Sequence, residues 1–183
     1  MKRDIKMKMK LAKFCAASLL TIVATPVFAQ SNTDNKTAAG SITIYQPLTL
    51  GKDADMVFGR VVRPSSGVGT VALAASATAQ TVAGAGAVAL DTATTNAAKF
   101  TATGEGGAVI NVAIPPTFNM NGPGASIAVT TSTDLATPAT TSLGGTAGTA
   151  SSKVFYVGGS ASIPTTQTGG AYSGSFTVTV TYN

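Results

Sequence analysis

An all-β sandwich is the fold class this 183-residue sequence predicts for the body of the chain, and three observations carry it. Apolar and polar residues alternate with period two in short runs, the mark of strands buried on one face. Clusters of Gly, Pro, Asn and Ser separate these runs at roughly 8–12-residue intervals, as in two-sheet folds. Beyond the N-terminal segment, no run of helical length shows the 3.6-residue period of a buried helix face.

The N-terminal segment comes first. Lys2, Arg3, Lys6, Lys8, Lys10 and Lys13 stand against a single acid, Asp4, and an apolar run from Phe14 to Val27 follows. Val27-Phe28-Ala29 then supplies small residues at −3 and −1 before Gln30, so residues 1–29 read as a signal peptide cleaved after Ala29. The apolar run falls short of the ~20 residues that span a bilayer, and Pro26 breaks its end.

Cleavage changes the charge reading. What remains is Lys36, Lys52, Arg60, Arg63, Lys99 and Lys153 against Asp34, Asp53, Asp55, Asp91, Glu105 and Asp134, a neutral balance. The +5 of the whole chain therefore belongs to the signal. It gives no ground for nucleic-acid binding, and none for membrane insertion after cleavage. Cys15, the one cysteine, leaves as well, so no disulfide is expected and stability must come from packing and backbone pairing.

Residues 30–40 lack apolar pattern and read as a flexible tail. Residues 41–183 read as one domain. Ile42, Ile44, Leu48 and Leu50 share one parity and suggest its first strand, with Pro47 favouring a sheet edge. Val71 with Leu73, Val88 with Leu90, and Ile127 with Val129 continue the series. In 109–114 apolar residues occupy both parities, which predicts a strand buried on two faces. Val154, Phe155, Tyr156 and Val157 form another strand. The chain ends on the clearest one, Phe176, Val178, Val180 and Tyr182 alternating with Thr177, Thr179 and Thr181.

The equipment for catalysis is missing. The chain has no histidine and no tryptophan, which excludes His-based triads, and with Cys15 gone it excludes thiol nucleophiles and the usual zinc sites. Asp53 and Asp55 are the closest acidic pair, but Gly51-Lys52-Asp53-Ala54-Asp55 lacks the further oxygen ligands of a calcium loop and reads as a solvated turn. Gly104-Glu105-Gly106-Gly107 has no Lys-Ser/Thr and no following helix, so it reads as a hairpin turn rather than a phosphate loop. Tyr45, Tyr156 and Tyr172 read as half-buried sheet residues. No cofactor or metal is expected, and the protein reads as a non-enzyme.

Three segments together carry a resemblance: Met56-Val57-Phe58-Gly59, the run Val154-Phe155-Tyr156-Val157-Gly158-Gly159-Ser160 continuing to Pro164, and Gly170-Ala171-Tyr172-Ser173-Gly174-Ser175-Phe176 continuing to Tyr182. They resemble a bacterial family of secreted domains of unknown function that is similar to spore coat protein U and to chaperone–usher pilins. The resemblance implies an immunoglobulin-like, pilin-like sandwich that lacks its last strand. A periplasmic chaperone, and then the N-terminal extension of a neighbouring subunit, would supply that strand. In such subunits the C-terminal strand carries a penultimate Tyr and a Gly fourteenth from the end, which here are Tyr182 and Gly170. Gly170, Phe176, Val178, Val180 and Tyr182 thus form a candidate assembly strand. Residues 30–40 lack the apolar alternation of a donor extension, and the absent disulfide also departs from the family pattern. The functional expectation is an exported structural subunit, pilus-like or coat-like, in the periplasm, at the cell surface or in an extracellular fibre. The alternative is a monomeric adhesin or ligand-binding module.

Overall fold

The computed structural model describes residues 33–76, 80–83, 86–91, 95–136 and 139–183, so the expected signal peptide and its cleavage site lie outside the described residues. Ile42–Asn183 form one compact unit. Residues 33–40 are exposed and carry no regular structure.

Among the described residues the fold is all-β, with no helix. In chain order the strands are β1 (Thr49–Ala54), β2 (Arg60–Val62), β3 (Val68–Leu73), β4 (Gln80–Ala83), β5 (Val88–Asp91), β6 (Ala98–Glu105), β7 (Val109–Ala113), β8 (Thr117–Met120), β9 (Ile127–Thr133), β10 (Thr140–Ser142), β11 (Ala150–Pro164) and β12 (Thr179–Tyr182). The larger sheet runs β1-β6-β11-β3-β4, with β9 also on β11 and β8 on β9. A smaller sheet runs β10-β7-β12, and β2 pairs with β5 as a separate ribbon.

The 15-residue β11 organises the larger sheet. Its first half pairs with β6, from Ala150↔Glu105 to Val157↔Ala98, and its second half pairs with β3, from Gly159↔Leu73 to Pro164↔Val68. β9 pairs with Val157 to Ala161, overlapping both, and so must lie along the opposite edge. Gly158 and Gly159 sit where the three neighbours converge. A side chain at 158 would run into the Leu73 carbonyl, and at 159 a Cβ would stand 2.8 Å from Val129. Only glycine lets the backbones approach this closely.

The two sheets pack face to face over one main core. Ala98, Phe100 and Ala102 of β6 and Phe155 and Val157 of β11 meet Ile110 and Val112 of β7, with Leu143 beside them. Phe100 and Phe155 stack with ring centroids 5.5 Å apart. A second cluster lies under the β8–β9 hairpin, built on Ile127, Val129 and Ala161. This is a β-sandwich, as the period-two runs predict.

Several local expectations are corrected. In 109–114 only Ile110 and Val112 are buried while Val109 and Ala113 are exposed, so β7 is covered on one face, not two. The alternation through 41–50 is split, because the strand begins at Thr49 and the residues before it lie outside any ladder. The Gly104–Gly107 turn is no hairpin: β6 pairs with β1 and β11, β7 with β10 and β12, and the turn carries the chain from one sheet to the other. Of the three tyrosines expected in sheets, Tyr45 and Tyr172 sit outside strands and only Tyr156 is a sheet residue. The C-terminal ladder is shorter than the alternation suggests, spanning Thr179–Tyr182 alone.

Candidate functional site

That short ladder has a local cause. Ser173 bridges Asn121, and Thr179 pairs with Ala113, so the C-terminal segment runs antiparallel along β7 and the approach to and exit from β8. From Ala113 to Asn121 is eight residues; from Ser173 to Thr179 is six. The two extra residues fall where Pro115 and Pro116 stand, and neither has an N–H to donate. Their carbonyls are taken from the other side, Pro115 O by Thr131 Oγ1 at 2.6 Å and Pro116 O by Thr131 N at 2.9 Å. Residues 174–178 therefore belong to no ladder.

Their side chains nevertheless alternate. Phe176, Val178, Val180 and Tyr182 all pack against the main core, while Thr177, Thr179 and Thr181 are exposed. Phe176 bridges the two clusters, its ring 6.4 Å from Phe100 and 5.0 Å from Phe118. Of the candidate assembly residues, then, four share one inward face, but only Val180 and Tyr182 lie in β12. Gly170 stands apart in the loop before them, with φ +145°, and a Cβ there would meet Pro123 Cγ at 2.6 Å.

Beside this segment lies a cavity of about 1280 Å³. Its floor is apolar: Val71, Ala98, Phe100, Phe118, Met120, Ile127, Ala161 and Ile163. One wall is residues 55–61 with Arg63, including Met56, Val57 and Phe58; the other is residues 167–176. The second wall is held in shape by polar bonds. Buried Gln167 donates through Nε2 to Ala125 O (2.6 Å) and to Tyr172 Oη (2.8 Å). Tyr172 Oη donates to Thr168 O (2.9 Å) and accepts from Gly124 N (3.1 Å). Arg63 Nη1 donates to Gln167 O at 3.0 Å and ties the two walls together. Lys52 and Asp55 pair with each other at 2.5 Å on the rim, and Asp53 accepts from Thr101 Oγ1 at 2.6 Å, so the two aspartates turn to different partners.

Chemically, the site offers a trough with an apolar floor, flanked by a backbone stretch outside any ladder. That is the arrangement an added extended strand uses, with backbone bonds along its edge and alternate side chains in the trough. Sequence reasoning missed the Met56–Phe58 wall as a lining and missed Gln167 altogether. A lone Gln in a Thr- and Gly-rich loop gives no periodic signal, since its role depends on partners about 40 residues away at Ala125.

The family model described as a domain of unknown function (DUF4402) matches residues 48–182. No curated protein and no solved structure matches the chain.

Proposed function

The chain belongs to the DUF4402 family, whose description names no activity, and from that premise we propose that it is a non-enzymatic structural protein of the bacterial cell surface, a pilus-like or coat-like subunit. The observation that carries this reading is the apolar cavity beside residues 174–178. Phe100, Phe118, Met120 and Phe176 line it, and the backbone next to it belongs to no ladder. A strand contributed by a periplasmic chaperone or by a neighbouring subunit would complete both. Ile42 and Ile44, 85% and 80% exposed, are apolar residues of one parity that their own domain does not bury. They are the segment such a neighbour would offer.

The test is a disulfide between copies. In a Cys15→Ser background, one copy carries Ile44→Cys and a second carries Val57→Cys, on the cavity wall. Mixed under oxidation, they should give a heterodimer, while Ile44→Cys with Ala128→Cys on an exposed strand position should not. A stable monomer that forms no such bond and co-purifies with a small apolar molecule would make the protein a ligand-binding module instead.

A further inference from the structure

Gln46 is exposed, yet both its backbone groups are held. Its N–H donates to Glu105 Oε2 at 3.1 Å, and its carbonyl accepts from Tyr182 Oη at 2.7 Å. The same Tyr182 hydroxyl accepts from Glu105 N at 2.7 Å. Glu105 is 4% exposed, and its other carboxylate oxygen takes the Gly148 N–H. A buried carboxylate without a cation is costly unless amides satisfy it, and here two do. Gly104 makes the room, since a Cβ there would collide with the Tyr182 hydroxyl. Tyr45 completes the arrangement, its ring edge-on to Tyr182 at 5.2 Å.

None of Gln46, Glu105 or Tyr182 lines the apolar cavity. β1 begins at Thr49, three residues after Gln46, and runs toward the cavity wall at Asp55 and Met56. The C-terminal segment runs the other way, from the cavity-lining Phe176 through β12 to Tyr182. The fastening at Gln46 is thus at the end of the sandwich remote from the trough. A segment leaving Gln46 must double back along β1, past Thr49–Gly51 to the rim at Lys52, to enter the trough of its own domain.

Resting on the reading of the trough as a strand acceptor, we propose that Tyr182 and Glu105 form a clasp on Gln46 that sets the direction in which residues 42–45 leave the domain, presenting Ile42 and Ile44 to a second copy rather than to their own trough. Tyr182 and Glu105 are positioning residues in this scheme. They fix the segment's exit, and so reduce the ordering cost of association without touching the acceptor.

Two variants open the clasp while leaving the trough intact. Tyr182→Phe keeps the ring but removes the hydroxyl bonds, and Gln46→Pro removes the N–H at an exposed site. Each is compared with the unmodified exported chain for self-association by sedimentation, for hydrogen exchange over residues 42–48, and for binding of a labelled synthetic peptide of residues 41–50. Losing one or two such bonds should weaken self-association about tenfold and speed exchange in 42–48. Peptide binding should be unchanged. Equal self-association of all three proteins, with peptide still bound, would overturn the clasp and leave the acceptor reading standing. Failure of the unmodified chain to bind the peptide would overturn the acceptor reading and the clasp with it.

Discussion

Replacing Phe176 with alanine tests whether the C-terminal segment is docked by its side chains where it lacks a ladder. The ring is half-buried and sits between Phe100 at 6.4 Å and Phe118 at 5.0 Å. Burying about 100 Å² of ring at ~25 cal/mol per Å² contributes about 2.5 kcal/mol. The two aromatic contacts add about 0.5–1.5 kcal/mol each on top of burial. Burial measured against an extended chain overstates the gain, which brings the expected cost of Phe176→Ala to about 3 kcal/mol. Thr177→Ala, one residue on and exposed, should lie within about 0.5 kcal/mol of the parent. Urea titration followed by tyrosine fluorescence reads both, with an unchanged slope showing that the comparison concerns stability. Equal midpoints for the two variants would mean that residues 174–178 are not held by alternate inward side chains, and the trough would lose its wall.

The same parity governs β12. Val180→Asp buries a charge against the core and should leave little folded protein, whereas Thr179→Asp, on the exposed face, should express and melt near the parent. Gly158→Ala should cost about 3 kcal/mol, because a Cβ there stands 2.7 Å from the Ala74 carbonyl carbon; Gly169→Ala, with nothing within 4 Å, serves as the neutral control in a thermal melt. For maturation, intact mass of the exported protein should correspond to a start at Gln30, and a product retaining Cys15 would undo the expected charge balance.

The sandwich itself was legible because period two is a local property. Val71 and Leu73, Ile127 and Val129, and Val180 and Tyr182 each advertise one buried face without reference to a partner. Ladder membership is not local. Nothing in Phe176–Val178 says that Pro115 and Pro116 stand opposite, so the strand reads as continuous when its pairing is interrupted. The segment 42–45 shows the reverse difficulty. Alternation looks the same whether a strand is covered by its own sheet or left at 80–85% exposure, as Ile42 and Ile44 are. Gly104-Glu105-Gly106-Gly107 announces a turn, but turn chemistry does not say which sheets the turn joins. Glu105 left only a faint trace, a single acid among glycines in a chain poor in charge, and its partners Gln46 and Gly148 are roughly 60 and 40 residues away.

The late position of β11 has a kinetic consequence. Leu73 pairs with Gly159, and Ala102 with Lys153, so β3 and β6 wait for a partner that is made after both of them. Until about residue 164 has emerged, β1 has only β6 and β3 has only β4, and a two-stranded ribbon is marginal in water. Closing loops of this length before any reward from packing makes for slow folding. Val71, Leu73 and Phe100, which the finished sandwich buries, then lack the strand that completes their cover. A nascent chain of this kind favours a carrier that accepts unfolded polypeptide and releases it whole, and it makes truncation anywhere before β11 a route to aggregation rather than to a smaller stable domain.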